Sequence, residues 1–489
     1  MNFRQEKDAI GKIDIPADAY YGSFTTRAHQ NFQLSNQKAS EYFRQALGYV
    51  KKAACHANTK LSLLTQEQSH AILQAADEFI AGQFNDQFTL DIFQAGAGTP
   101  FNMNSNEIIA NRANEILGHP KGSYAVVHPN NHVNMGQSSN DVIPTTIRLA
   151  NILYFQKELI PAFQNLIQSI QNLANQNQDV LKVGRTHLED AVPITLGQEL
   201  EAMAIMLQKS LAFATQCEHH LHELGIGGTA TGTGITTEPE YQGLVVEFLK
   251  TETGIQTLIP TANLMETNAN AGPFGIFSSG LRSLANDIIK ISNDLKLLNM
   301  GPKAGIAEII LEEVEPGSSI MPGKVNPSIV EASHMTACQV IGNDTAVQLG
   351  VQAGQLQLNV MTPLILFNLE FSQTLLKNTA DMLIEFCFTN MIIDKERIPQ
   401  LVDGSLIFAT ALVPYLGYPV IAEIVHQALH QQQSLTQAIL AHQLVSEEIL
   451  QKLLDPAKIT KPAKIDTALR DQIQASENYQ AFKTKYLSV

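Results

Sequence analysis

The sequence predicts a mainly α protein organised around a bundle of long helices. Apolar residues recur at steps of three and four over unusually long stretches. They are Leu159, Phe163, Leu166, Ile170 and Leu173, then Leu200, Met203, Leu207, Leu211, Ala214, Cys217 and Leu221. Leu281, Leu284, Ile288, Ile291, Leu295 and Leu298 form a near-regular heptad seam. Segments 328–356 and 363–390 add two more helices, the last apolar on more than one face. Several of these exceed the roughly 12 residues of an ordinary globular helix. The second observation is composition: 44% of the 489 residues are apolar and only 16% charged. Broad apolar faces with few surface charges call for partner helices, within the chain or between chains.

Three segments are expected: a mixed N-terminal domain (1–136), the central bundle (137–395) and a smaller, more polar helical domain (396–489). In the first, Ile13 and Ile15 alternate with polar residues ahead of Pro16, which fits a short hairpin or extended arm. Helical spacing follows at Phe43, Leu47, Val50 and Ala54, and at Ile72, Ala75 and Phe79. Asn104 with Glu107 resembles a capping pair, and Thr195 with Gln198 a capping box. In the last segment, Gln431 to Gln433 and the basic stretch Lys458 to Lys464 read as solvated surface.

Composition excludes several classes of function. A net charge of −15 argues against non-specific nucleic-acid binding, which needs Lys and Arg against phosphates. An anionic substrate must then be held by local positive potential. Cys55, Cys217, Cys338 and Cys387 are far apart and show no metal-ligand spacing, so buried free thiols and a cytoplasmic location are expected. No run of eighteen apolar residues suggests a membrane span. His426 and His430 read as a surface pair, and His219, His220 and His222 as solvated helix surface, so no metal is expected.

Chemistry concentrates in four polar loops: Gly96–Asn106, Asn134–Thr145, Gly184–Asp190 and Gly317–Pro327. The last, Gly317-Ser318-Ser319-Ile320-Met321-Pro322-Gly323-Lys324-Val325-Asn326-Pro327, places two hydroxyls, an ammonium and an amide ahead of a helix. Pro327 suits that helix's first turn, with Asn326 as its N-cap. Loop N–H groups, a helix N-terminus and Lys324 converging there would make an anion site. In Gly136-Gln137-Ser138-Ser139-Asn140-Asp141, capping explains one or two polar residues but not five in a row. His187, taken alone, is equally well a satisfied loop histidine.

The Gly317–Pro327 stretch, followed by Glu331, resembles the signature loop of the fumarase/aspartase superfamily. The resemblance runs from Asp18-Ala19-Tyr20-Tyr21-Gly22 to about residue 455 and includes all four loops. It implies a fumarase/aspartase-like fold with a central long-helix bundle and a homotetramer whose active sites take loops from three subunits. It also implies reversible anti-elimination from a small-molecule C4 dicarboxylate to give fumarate, without a cofactor. The final thirty or so residues have no clear counterpart in it.

Residue by residue, the resemblance implies Ser318 as catalytic base, His187 as active-site histidine and Glu331 as its acidic partner. Lys324, Asn326 and Thr186 fall on positions that bind one carboxylate. Thr99, Ser138, Ser139 and Asn140 fall on those that hold the second carboxylate and the leaving group. Asn131 to Met135, Asp190 to Ile194, Ala353 to Met361 and Gly96 to Thr99 look like the aspartate ammonia-lyase branch. Gln137 to Asp141 and Gly227 to Ala230 look like the class II fumarate hydratase branch, and Pro100 departs from both. The expected activity is ammonia elimination from L-aspartate, with fumarate hydration as the alternative and a non-catalytic helical scaffold as a remote one. Ala97 occupies a position where fumarases usually carry a serine, whose hydroxyl could help hold a water.

Overall fold

The computed structural model describes residues 2–487 and is mainly α, with short two-stranded sheets. The chain divides into two compact units. One comprises residues 1–163, 209–289 and 334–380, the other 164–208, 290–333 and 381–489.

In the first unit the helix Glu41–Lys60 packs against Gln66–Ile80, Ser139–Tyr154 and Tyr241–Thr253. Its predicted apolar positions Phe43, Leu47, Val50 and Ala54 are fully buried, as are Ile72, Ala75 and Phe79. The N-terminal arm is a hairpin, Phe3–Lys7 paired with Lys12–Pro16. Long helices meet in this unit at close range. Gly280 lets Gly272–Leu298 approach Leu196–Glu218, because an added Cβ would stand 2.9 Å from Ala214 Cα. Ser210 Oγ lies 3.0 Å from Ser283 Oγ, and Asn343 Nδ2 donates to Ser372 Oγ at 3.0 Å. The six-residue heptad seam is buried throughout.

The second unit carries the hairpin Leu181–Thr186/Glu189–Thr195, with the helix Arg397–Gly404 packed on its first strand. Its C-terminal part has its own core, including Leu412, Leu416, Val420, Ile424 and Ile439. Ile473, Tyr479 and Phe482, from the last thirty residues, are buried in that core. The tail left without a role by the sequence is therefore a packed part of this unit.

Several expectations are corrected. Asn104 and Glu107 do not start a helix. The helix Thr99–Ile116 begins earlier, after left-handed Gly98, with Pro100 in the first turn where its missing N–H costs nothing. Glu107 instead caps a different helix: its carboxylate accepts the N–H groups of Gly22, Phe24 and Thr25 at the start of Ser23–Asn31, where the N-cap glycine has no side chain to offer. Asn326 does not cap Ser328–Val351, because Pro327 precedes that helix and accepts the N–H of Glu331. Cys338 is exposed, while the other three thiols are buried. His222 is buried rather than solvated. Among the described residues no single helix is long and apolar enough to cross a membrane.

Candidate active site

In the first unit Gly96, Ala97 and Gly98 all take positive φ, turning the chain sharply into the helix Thr99–Ile116. Thr99 Oγ1 donates to the Gly96 carbonyl at 2.6 Å, which commits its proton and leaves its lone pairs as acceptors. Ala97 is buried.

Ser138 is the N-cap of Ser139–Tyr154 and forms a capping box with Asp141. Its Oγ accepts from the Asn140 N–H at 3.2 Å, and Ser139 Oγ accepts from Asn102 Nδ2 at 3.1 Å. Both hydroxyl protons therefore remain to be donated, at a helix N-terminus that favours negative charge. Asn140 is oriented the other way. Its Nδ2 donates to the Ala230 carbonyl at 2.8 Å, so its oxygen is the atom left to accept.

Two buried charges hold this loop: Asp141, expected at most as a local cap, and Lys51, which the sequence did not single out. Asp141 accepts the N–H groups of Ser138 at 2.9 Å, Gly227 at 3.0 Å and Thr229 at 2.8 Å, joining two stretches distant in sequence. Burial raises its pKa to about 7 against those hydrogen bonds. Lys51 Nζ is fully buried and donates to Asn102 Oδ1 at 2.5 Å, Gln137 Oε1 at 2.9 Å and Asn134 Oδ1 at 3.1 Å. Burial lowers its pKa to about 7, opposed by the charge of Asp141. The only sequence signal for Lys51 was a lysine in the stretch carrying the buried helical face.

In the second unit Thr186 ends the first strand of the hairpin, and His187 with Leu188 forms its two-residue turn at φ 56° and 64°. Both central residues being left-handed identifies a type I′ turn, which presents the His187 side chain in the open. Gly184 makes the bulge in this strand possible, since an added Cβ would stand 2.6 Å from the Val192 carbonyl oxygen. The predicted capping box of Thr195 and Gln198 closes the hairpin's far end.

The signature loop folds back on itself. Asn326 Nδ2 donates to the Gly317 carbonyl at 2.6 Å. Position 317 must be glycine, because a Cβ there would meet the Lys324 carbonyl oxygen at 2.4 Å. Ser318 Oγ accepts the N–H groups of Ile320 and Met321, at 3.2 and 2.9 Å. Lys324 and Glu331 are exposed. The stems of this loop and of the His187 hairpin are tied at Glu308. Its Oε1 accepts from Arg185 Nη1 at 2.8 Å, and its Oε2 lies 2.8 Å from Lys182 Nζ. Among the described residues no hydrogen bond or ion pair joins His187 to Glu331 within one chain.

A sequence model described as lyase matches residues 11–342, and one described as fumarase C C-terminus matches residues 408–461. An aspartate ammonia-lyase of Pseudomonas fluorescens is 45% identical over 464 residues, 94% of this chain and 97% of the relative. The chain belongs to the fumarase/aspartase superfamily. A class II fumarate hydratase of Nitrosomonas europaea is 42% identical over 459 residues, covering 94% of this chain and 99% of that one. Among solved structures, a fumarate lyase:delta crystallin from Brucella melitensis bound to cobalt superposes with a TM-score of 0.91 at 44% identity, covering 94% of this chain and all of that one. This superfamily member is a lyase acting on a C4 dicarboxylate.

Proposed function

We propose that the chain is an aspartate ammonia-lyase, releasing ammonia from L-aspartate to give fumarate by reversible anti-elimination. The observation that carries this reading is the hydrogen-bond polarity of the loops at Thr99 and Asn140. Thr99 has donated its one proton and Asn140 one of its two N–H groups to backbone carbonyls, so each presents an oxygen that accepts, while Ser138 and Ser139 present donors. An ammonium brings up to three donors and a charge, which acceptors satisfy, and the two serines suit a carboxylate. Aspartate ammonia-lyases at 40–45% identity support the same branch, alongside class II fumarate hydratases at 40–42%.

In the proposed mechanism Ser318, as its alkoxide, takes the proton next to one carboxylate and becomes the hydroxyl. The two N–H groups on its Oγ favour an oxygen that carries negative charge, which lowers the hydroxyl's proton affinity. The carbanion becomes an aci-carboxylate whose second charge must be stabilised, by Lys324, Thr186, Asn326 and loop dipoles. Asn326 has spent one N–H on Gly317, so it meets substrate with its remaining amide groups. His187 assists on the leaving group's side, with Glu331 fixing its ring orientation across a subunit boundary. The proposed assembly is a homotetramer with shared sites. Exposed apolar side chains on the long helices, among them Ile205, Phe213, Met335 and Leu349, support it as surfaces awaiting neighbours. Fumarate's ultraviolet absorbance, followed with L-aspartate and with L-malate, tests the assignment.

A further inference from the structure

The turn that ends the helix Leu196–Glu218 gathers Glu218, His219 and His222, whose donor atoms all lie within 4.8 Å of one another. Glu218 and His222 are 1% and 4% exposed, while His219 opens to the surface. Spacing explains the cluster. Glu218 and His222 are four apart and share a face, and the 3-10 turn His219–Leu221 brings His219 round to the same side.

A helical Glu–His pair of this spacing is often only an ion pair, but the details here differ. His222 Nε2 stands 3.0 Å from Glu218 Oε1 without the geometry of a hydrogen bond, and Nδ1, equally buried, also has no partner. A buried imidazole with both ring nitrogens unsatisfied is costly and unusual. A metal ion on Nε2 accounts for its close, unbonded approach to Glu218, because two donors each about 2.0–2.1 Å from one ion sit roughly 3 Å apart without bonding each other. The carboxylate is already oriented, since Gln156 Nε2 donates at 2.8 Å to Glu218 Oε1, the same oxygen that faces His222.

We propose that Glu218, His219 and His222 form a three-donor site for a divalent transition-metal ion of the zinc, cobalt or nickel class. Two imidazoles and one carboxylate suit these borderline ions and not magnesium or calcium, which take oxygen donors. Exposed His219 leaves a side open for entry and for water as a fourth ligand. The ion pins the chain reversal into the strand Glu223–Leu224, just ahead of Gly227 and Thr229, whose N–H groups hold Asp141. The proposal is independent of which substrate the enzyme uses.

The test is Co²⁺ titration of untagged, chelator-stripped full-length protein, read by visible ligand-field absorption and calorimetry. The background carries His426→Ala and His430→Ala, because that exposed pair has its Nε2 atoms 3.1 Å apart and would bind the ion itself. The expected result is one Co²⁺ per chain, displaced by Zn²⁺. Affinity should fall by at least the ~10–100-fold typical of weaker, outer-shell changes in both His222→Gln and His219→Ala. His219 is exposed, so its variant decides the matter even if His222→Gln fails to fold. Absence of stoichiometric binding, or binding unchanged in His219→Ala, overturns the proposal.

Discussion

The backbone N–H of Met321 donates to Ser318 Oγ at 2.9 Å, across a loop that Gly317 and Asn326 close from the other end. The contact gives the proposed base an oxygen already surrounded by donors. Ser318→Ala should lower turnover by about 10²–10⁴-fold, the range of a general base. Binding of a non-reactive dicarboxylate should stay within a few-fold. Initial rates beside equilibrium binding check both halves, and near-normal turnover would remove Ser318 from the chemistry.

Lys51 gives a pH prediction. The unfolded chain holds this proton up to the ordinary 10.5, the folded chain only to about 7. Between those values the unfolded state binds more protons, so stability rises with pH through that window. Below about 7 the full cost of burying the charge is present. Lys51→Met should lack this rise, which amounts to at most about 1.4 kcal/mol per pH unit. Denaturant unfolding of both proteins from pH 7 to 9 measures the difference in slope.

Asp141→Asn should weaken substrate binding more than it slows turnover. The carboxylate serves three backbone N–H groups, and an amide must turn its own NH₂ toward at least one of them. One buried donor left unpaired costs about 1–3 kcal/mol. KM for L-aspartate should rise about tenfold or more while kcat falls less, read from full saturation curves. Equal losses in both would place Asp141 in the chemical step.

Long helices, the Thr195–Gln198 capping box and the N-terminal hairpin were legible in the sequence because periodicity and capping are local. The chemical loops were legible only as polar interruptions and through a family resemblance. The anchors beneath them were not. Asp141 finds its partners at Gly227 and Thr229, and Lys51 finds its own at Asn102, Asn134 and Gln137, contacts that no spacing rule connects. Glu107 looked like the start of its own helix because an Asn–Glu pair imitates a capping box, whereas its carboxylate caps another helix through space. His222 looked solvated because the three histidines lack i,i+4 spacing among themselves, yet its i,i+4 partner is Glu218 and the turn after Glu218 carries it inward.

Shared sites predict complementation. If His187 of one chain meets Ser318 of another, a His187 variant and a Ser318 variant, each inactive alone, should recover part of the activity after subunit exchange. The mixed species should have the mass of a tetramer of the 53.6 kDa chain. A monomeric mass, or no recovery after confirmed exchange, would place each site within a single chain.

The central claim is that the acceptors at Thr99 and Asn140 select an ammonium leaving group. A site built to pair such a group rejects an analogue lacking it by large factors, because its polar atoms are then left without partners. Side-by-side initial rates of fumarate formation from L-aspartate and L-malate test this most directly. The account predicts that kcat/KM for L-aspartate exceeds that for L-malate by about 10²-fold or more. A faster reaction with L-malate would contradict it and make the enzyme a fumarate hydratase.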